Sequence, residues 1–463
     1  MRTSNLRSFL LISAAAMLTG CAGFSSLSTT TPVAAPTGFS LRGMHGVVHG
    51  GQQPIGYASL QIYQAGNSGY GTGATPLIPA GSYYAGGASG CISSGTQTCY
   101  SNVVTDATGN FSITNDYTCA KGTQVYLAST GGQPTTGVAN AAVDLLAGLG
   151  LCDNVGAGTN VNMNEVTTVG TVWALTAFMP STGSGISPLN IGSSSTNPVG
   201  LVNAFSDIPS LVNIAGGSAL ASSSGITLPT AQVNTLANIL AACINSGGAS
   251  SSACSALFAK APSADNTLPA DVVSAALNIA RNPGRNVADL INIATSVGAP
   301  FAPTVSSAVD LTLAMTYTGS GISSPSGAAM DANGTIWIAN SGNNSVTMLA
   351  HNFASAGNYT AGSLNAPSAL AIDGGGNVWI ANGGGQTLTE LTAAGANVAG
   401  SPFSGGGLAQ PSGVAFDGSG NAWLSNAGNN AVSEFSATGS ALSGTGYFAT
   451  GVSAPVGIAI NPR

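Results

Sequence analysis

The sequence predicts a multidomain, mainly β protein: an N-terminal β-sandwich, a central α-helical domain and a C-terminal partial β-propeller. Strand-like runs joined by an Asp-x-x-Gly turn mark the first part, and apolar residues at helical spacing mark the second. A motif whose leading prolines stand 42, 44 and 44 residues apart marks the third.

Only 5% of the 463 residues are charged and 44% are hydrophobic. Disorder pairs low hydrophobicity with high charge, so this chain can bury cores beneath a polar, mostly uncharged surface. The net charge is −7, and no basic run interrupts it, which argues against nucleic acid as a partner.

Residues 1–20 read as a signal peptide. Arg2 and Arg7 precede an apolar stretch, 8–18, too short to span a bilayer as a helix. Losing both arginines with the leader takes the charge from −7 to −9. Leu18-Thr19-Gly20-Cys21 resembles the lipobox of bacterial lipoproteins. The resemblance implies cleavage before Cys21, acylation of that cysteine, and export to the cell envelope, anchored in the outer membrane or at the cell surface. Acyl chains bind membrane at about 0.8 kcal/mol per buried CH₂. Residues 21–36, small, polar and proline-containing, read as a tether.

Six cysteines remain: Cys91, Cys99, Cys119, Cys152, Cys243 and Cys254. In an exported chain they suggest three disulfides. Of the fifteen possible pairings, the local one (91 with 99, 119 with 152, 243 with 254) is expected.

Residues 37–180 are expected to form the sandwich, with a mixed C-terminal part. Residues 41–49, 58–63 and 126–128 are strand-like, and 103–113 reads as strand, Asp-x-x-Gly turn, strand. This order resembles carboxypeptidase-regulatory-like or transthyretin-like sandwiches over about 80 residues, which implies a spacer or adhesion module. Residues 66–95 read as a surface loop stapled by Cys91 and Cys99, and 140–149 as an apolar helix. Glu165 opens a second apolar stretch, where an acid suits the positive end of a helix better than it marks a catalyst.

Residues 181–310 carry the helical domain. Val233, Leu236, Leu240 and Cys243 share a face, as do Val273, Leu277 and Ala280, and Val287, Leu290, Ile291 and Ala294. Asn282-Pro283-Gly284 ends the middle helix.

Residues 311–463 repeat three times and begin a fourth copy at Pro455. Each copy runs from Pro through Asp-x-x-Gly to Trp and Asn: Asp331, Trp337 and Asn340; Asp373, Trp379 and Asn382; Asp417, Trp423 and Asn426. The Asp and Gly make a tight turn between strands, the Trp fills space between blades, and the Asn opens the next turn. These copies resemble NHL repeats and the repeats of the virginiamycin B lyase group. The family resemblance implies a ring of about six blades, so three and a beginning fit a truncated chain, a dimer through open propeller edges, or packing on the N-terminal domains. Truncation is the expected case, and open strand edges are an association hazard.

Chemistry is sparse. His45 and His49 lie about 13 Å apart if extended, too far for one zinc, and no metal or cofactor is expected. No nucleophile elbow, P-loop or zinc motif occurs, and the glycines at 69, 71 and 73 do not lead from a strand into a helix. The lyase resemblance implies a His and a Glu around magnesium. His351, Glu390 and Glu434 lie within the repeats, but none stands in a matching motif, so no catalytic residue is assigned. The Asp-x-x-Gly carboxylates, one per turn, suit turns better than calcium. The expected function is a membrane-anchored envelope or surface scaffold presenting a propeller to a protein or glycan ligand. A lyase-like enzyme and a structural spacer or adhesin are the alternatives.

Overall fold

Alternation of buried and exposed side chains builds the N-terminal strands. A computed structural model describes residues 38–40, 44–51, 53–93, 98–114, 117–156, 158–181, 187–296, 298–319, 321–351 and 356–461. Its first strands are β1 (Gly38–Ser40), β2 (Met44–Gly50), β3 (Gln53–Pro54), β4 (Ser59–Gln64), β5 (Thr75–Pro76) and β6 (Val103–Val104). There follow β7 (Asn110–Ile113), β8 (Thr118–Ala120), β9 (Gln124–Thr130), β10 (Asp144–Leu151) and β11 (Asn160–Met163). Leu60 and Ile62 of β4 and Phe111 and Ile113 of β7 point inward at every second position. One sheet runs β10-β9-β4-β5 with β6 also on β4, a second runs β11-β2-β3 with β7 also on β2, and β1 pairs with β8.

One expectation is corrected here. The apolar stretch 140–149 is not a helix, because residues 144–151 form β10, paired antiparallel to β9. A short apolar run reads alike as buried strand or helix. Gly148 and Gly150, at a bulge in the pairing, favour the strand. The strand, Asp-x-x-Gly turn, strand expected at 103–113 is present as β6, the Asp106 turn and β7; β6 pairs with β4 and β7 with β2, so the turn carries the chain from one sheet to the other.

Six helices follow among the described residues: α1 (Glu165–Leu175), α2 (Pro198–Leu211), α3 (Thr230–Ile244), α4 (Ser252–Lys260), α5 (Val272–Arg281) and α6 (Val287–Ser296). Asn164, Asn197, Ser251 and Asp271 cap α1, α2, α4 and α5, each side chain accepting a backbone N–H of the first turn. The α1 helix closes the edge of β10, where Thr168 Oγ1 and Thr171 Oγ1 accept the N–H groups of Leu146 and Gly148, each at 3.0 Å. These threonines do for the strand what a further strand would do. A continuous hydrophobic core runs from Met44 to Leu311, so sheets and helices pack as one body, with no break in the core near residue 180. Three disulfides join Cys91 to Cys99, Cys119 to Cys152 and Cys243 to Cys254.

Between α2 and α3 lie the short strands β12 (Val212–Asn213), β13 (Ser218–Ala219) and β14 (Ile226–Thr227). The last of these pairs with β15 (Thr316–Tyr317), which leads into the repeats. The first repeat sheet holds β16 (Pro325–Met330), β17 (Ile336–Asn340), β18 (Ser345–Leu349) and β19 (Ala356–Tyr359). The second holds β20 (Pro367–Ile372), β21 (Val378–Asn382) and β22 (Thr387–Leu391), and Phe403 bonds to Leu388 in the fourth-strand position. The third holds β23 (Pro411–Phe416), β24 (Ala422–Asn426), β25 (Ala431–Phe435) and β26 (Tyr447–Phe448). The sheets pack in succession in a propeller-like manner: Trp337 is buried among Leu370, Val378 and Ile380 of the second repeat, and Trp379 among Leu424 and Phe435 of the third. Ser326, Ser368 and Ser412 each donate to the carbonyl of the proline opening the next copy, Pro367, Pro411 and Pro455. No closed ring is formed by the described residues.

Candidate functional site

The repeated Asp and Trp residues bond to one another in the second and third repeats. In the third repeat, Asp417 Oδ1 accepts the N–H groups of Ser419 and Asn421, both at 2.9 Å, while Gly420 takes φ +83°. That φ favours glycine and closes the turn. Asp417 Oδ2 accepts Trp423 Nε1–H at 3.0 Å and Asn421 Nδ2–H at 3.1 Å. These bonds, the indole first, hold the carboxyl of Asp417 below its ordinary range. Asn421 also reaches Glu434 Oε1, and Tyr447 donates to Glu434 Oε2 at 2.8 Å. The second repeat repeats the arrangement through Asp373, Asn377, Trp379 and Glu390. Burial, then the charge of Asp373, raises the carboxyl of Glu390.

The first repeat departs from this pattern. Thr335 and Met348 stand where the others have Asn and Glu, and the buried Nε1 of Trp337 has no hydrogen-bond partner. The Asn of each copy does a different task. Asn340, Asn382 and Asn426 accept the N–H of Ser323, Asn365 and Ala409, and donate to Thr347, Thr389 and Ser433 in the neighbouring strand. These are buried ties between a loop and its sheet.

His351 joins neither glutamate. Its Nε2 lies 2.9 Å from the carbonyl of Asn203 and 3.0 Å from Asp207 Oδ1, both on α2. Burial raises the Asp207 carboxyl, and His351 opposes that rise. No cluster of three or more His, Cys, Asp or Glu suited to a metal occurs among the described residues.

A second polar cluster, not foreseen from the sequence, lies at the start of α1. Glu165 is fully buried, and both its oxygens accept the Gly51 N–H at 2.9 Å. Desolvation pushes its carboxyl up to about 7, against the lowering pull of the Gly51 amide. His49 Nδ1 faces the Gly51 carbonyl at 2.6 Å, and Nε2 faces Asn162 Oδ1 at 2.6 Å. Asn162 Nδ2 donates to Gly216 and Asn164 Nδ2 to Gly217, so the loop 213–217 is drawn in as well. The cluster ties the end of β2 to a helix start and a loop. The run Asn162-x-Asn164-Glu165 was its only signal in the sequence, and the partners at 49–51 are more than a hundred residues away.

A carboxylate pair forms a third polar feature. Burial and then the neighbouring Asp271 push Asp144, at the start of β10, up to about 8. Asp271 is raised by burial while it caps α5. Cys21 lies outside the described residues.

No protein family matches the sequence, and no curated protein matches it. Solved structures resemble part of the chain. A streptogramin B lyase is 15% identical over 26% of this chain and 40% of its own, at a TM-score of 0.24. A catalytically inactive virginiamycin B lyase from Staphylococcus aureus, with quinupristin, is 16% identical over 30% of this chain and 45% of its own, at 0.26. A functionally unknown protein from Desulfotomaculum acetoxidans is 17% identical over 32% of this chain and 50% of its own, at 0.26. The chain spans half or less of each. The similarity is weak, includes both enzymes and a protein of unknown function, and transfers no activity or residue role. Three disulfides suggest an exported protein. No helix among the described residues is long and apolar enough to cross a membrane.

Proposed function

We propose that this is an exported envelope protein, lipid-anchored at Cys21, that holds out a partial propeller as a binding platform for another envelope protein. The lipobox-like leader and the three disulfides support the compartment. In this reading the two N-terminal sheets are a β-sandwich which, with the helices, forms a rigid base.

The observation that carries the reading is the exposed apolar outer edge of the third repeat sheet. Leu442, Tyr447 and Phe448, on or just before β26, are 49%, 45% and 64% exposed, and Val456 is 81% exposed. Exposed apolar side chains of this kind mark interaction surfaces. A low-charge surface suits a protein or glycan ligand, and the breadth of the sheet face favours a protein.

A photo-crosslinking residue placed at Val456 tests the platform in intact cells. Transfer of label to a distinct envelope protein is expected. A crosslink only to a second copy would replace the partner with a dimer through the open edge, and no crosslink at all would remove the platform reading. Intact mass of detergent-extracted protein tests the anchor: the expected chain starts at an acylated Cys21 and gains six hydrogens on reduction of its three disulfides.

A further inference from the structure

A cleft of about 530 Å³ lies away from the repeats, between the end of β10 and the helix α2. That size falls within the range of small-ligand sites. Leu149, Leu151, Val202, Phe205 and Ile214 give it apolar walls, and no charged residue lines it among the described residues.

Two polar features stand among those walls. Gln124 is 5% exposed and lines the cleft, yet its Nε2 has no hydrogen-bond partner. Leaving such a buried donor unmade costs about 1–3 kcal/mol, a cost that a ligand acceptor would remove. The second is on α2. Pro209 sits inside the helix, and proline has no N–H to give to the carbonyl four residues earlier. That carbonyl belongs to Phe205, and both residues line the cleft. One wall thus supplies an unused donor and the other an acceptor without its helical amide.

We infer that this cleft binds a short uncharged peptide segment bearing an apolar side chain. The Gln124 side chain, sealed in the empty cleft, turns outward so that the ligand carbonyl accepts from Nε2; the ligand N–H donates to the Phe205 carbonyl, and its side chain lies against Leu149, Val202 and Ile214. The absence of charge among the lining residues selects against free amino acids, whose termini would lose their hydration unpaired. The site is independent of the platform on the repeats, and either stands if the other fails.

Saturation-transfer NMR on the mature chain, with N-acetyl-leucine N-methylamide as probe and free leucine as control, tests the inference. Transfer to the leucine methyls of the amide, and not to free leucine, is expected. Val202 is 39% exposed, so Val202→Trp fills the cleft from its rim without entering the core, and should abolish transfer. Gln124→Met keeps the shape and removes the donor, and should weaken binding about tenfold. No transfer in the unsubstituted protein, or full transfer in a folded Val202→Trp variant, overturns the proposal. Should Gln124→Met fail to fold, the Val202→Trp result decides alone.

Discussion

His351 of the first repeat and Asp207 of α2 lie 3.0 Å apart, and the same ring nitrogen lies 2.9 Å from the Asn203 carbonyl. This contact ties the repeat sheets to the helical base. A partly exposed pair of this kind contributes about 0.2–1 kcal/mol. His351→Ala should therefore speed amide exchange a few-fold in α2 and in β17, with little change in β4 or β9. Hydrogen-exchange mass spectrometry reads this directly, and uniform exchange across the variant would show the contact to be incidental.

The orphaned indole of the first repeat can be repaired. Thr335→Asn together with Met348→Glu copies the residues that surround Trp379 and Trp423. The pair should hold Asp331 so that it accepts Trp337 Nε1–H, as Asp373 and Asp417 accept theirs. One added hydrogen bond is worth about 1 kcal/mol, which corresponds to roughly 2 °C in the melting midpoint. Calorimetry near pH 5 is the suitable measurement, because a buried carboxyl at 348 is then readily protonated. A lower midpoint would show that Met348 packs better than the polar network bonds.

Glu165 makes stability depend on pH. Its carboxyl has an ordinary value of 4.5 and is pushed up to about 7 when folded. Between those values the folded state keeps a proton that the unfolded state releases, so stability falls as pH rises through that window and levels off above it. Asp144, pushed up to about 8, adds a slope of the same sign. Denaturant unfolding from pH 5 to pH 8 should show the decline. Glu165→Gln keeps an acceptor for Gly51 and should reduce the slope below pH 7, leaving the slope due to Asp144, which continues to about pH 8. An unchanged slope in that variant would falsify the assignment.

Of the disulfides, Cys119–Cys152 closes the longest loop, with a sequence separation of 33. Removing it with paired serines should cost about 3–4 kcal/mol by loop entropy. Cys91–Cys99 spans only 8 residues and should matter less. Comparing midpoints of the two double variants checks the order, and a reversed order would point to packing around Cys91 rather than chain entropy.

The repeats were legible because their physics is local. The Asp, Gly, Trp and Asn of one copy meet within about 20 residues, so spacing alone announces the sheet. Helices with apolar faces, such as α3 and α5, were legible for the same reason. Residues 140–149 were not, because an apolar run carries no period to separate strand from helix, and β10 is settled by β9 and by the threonines of α1. The polar cluster at Glu165 was hidden by distance. Its partner Gly51 is 114 residues away, and a glycine offering only its backbone leaves no mark in sequence. The destination of the Asp106 turn was hidden too, because the turn residues fix the bend and not the sheet that receives the next strand.

The serine-to-proline hydrogen bonds have an evolutionary consequence. Ser326, Ser368 and Ser412 each recognise the backbone of the succeeding copy, and none depends on a particular side chain there. A duplicated copy inserted in register would find its docking bond already present on its predecessor, and would offer the same bond to its successor. Growth or loss of whole copies is then nearly neutral at the joint, and selection acts mainly on the faces left at the two ends.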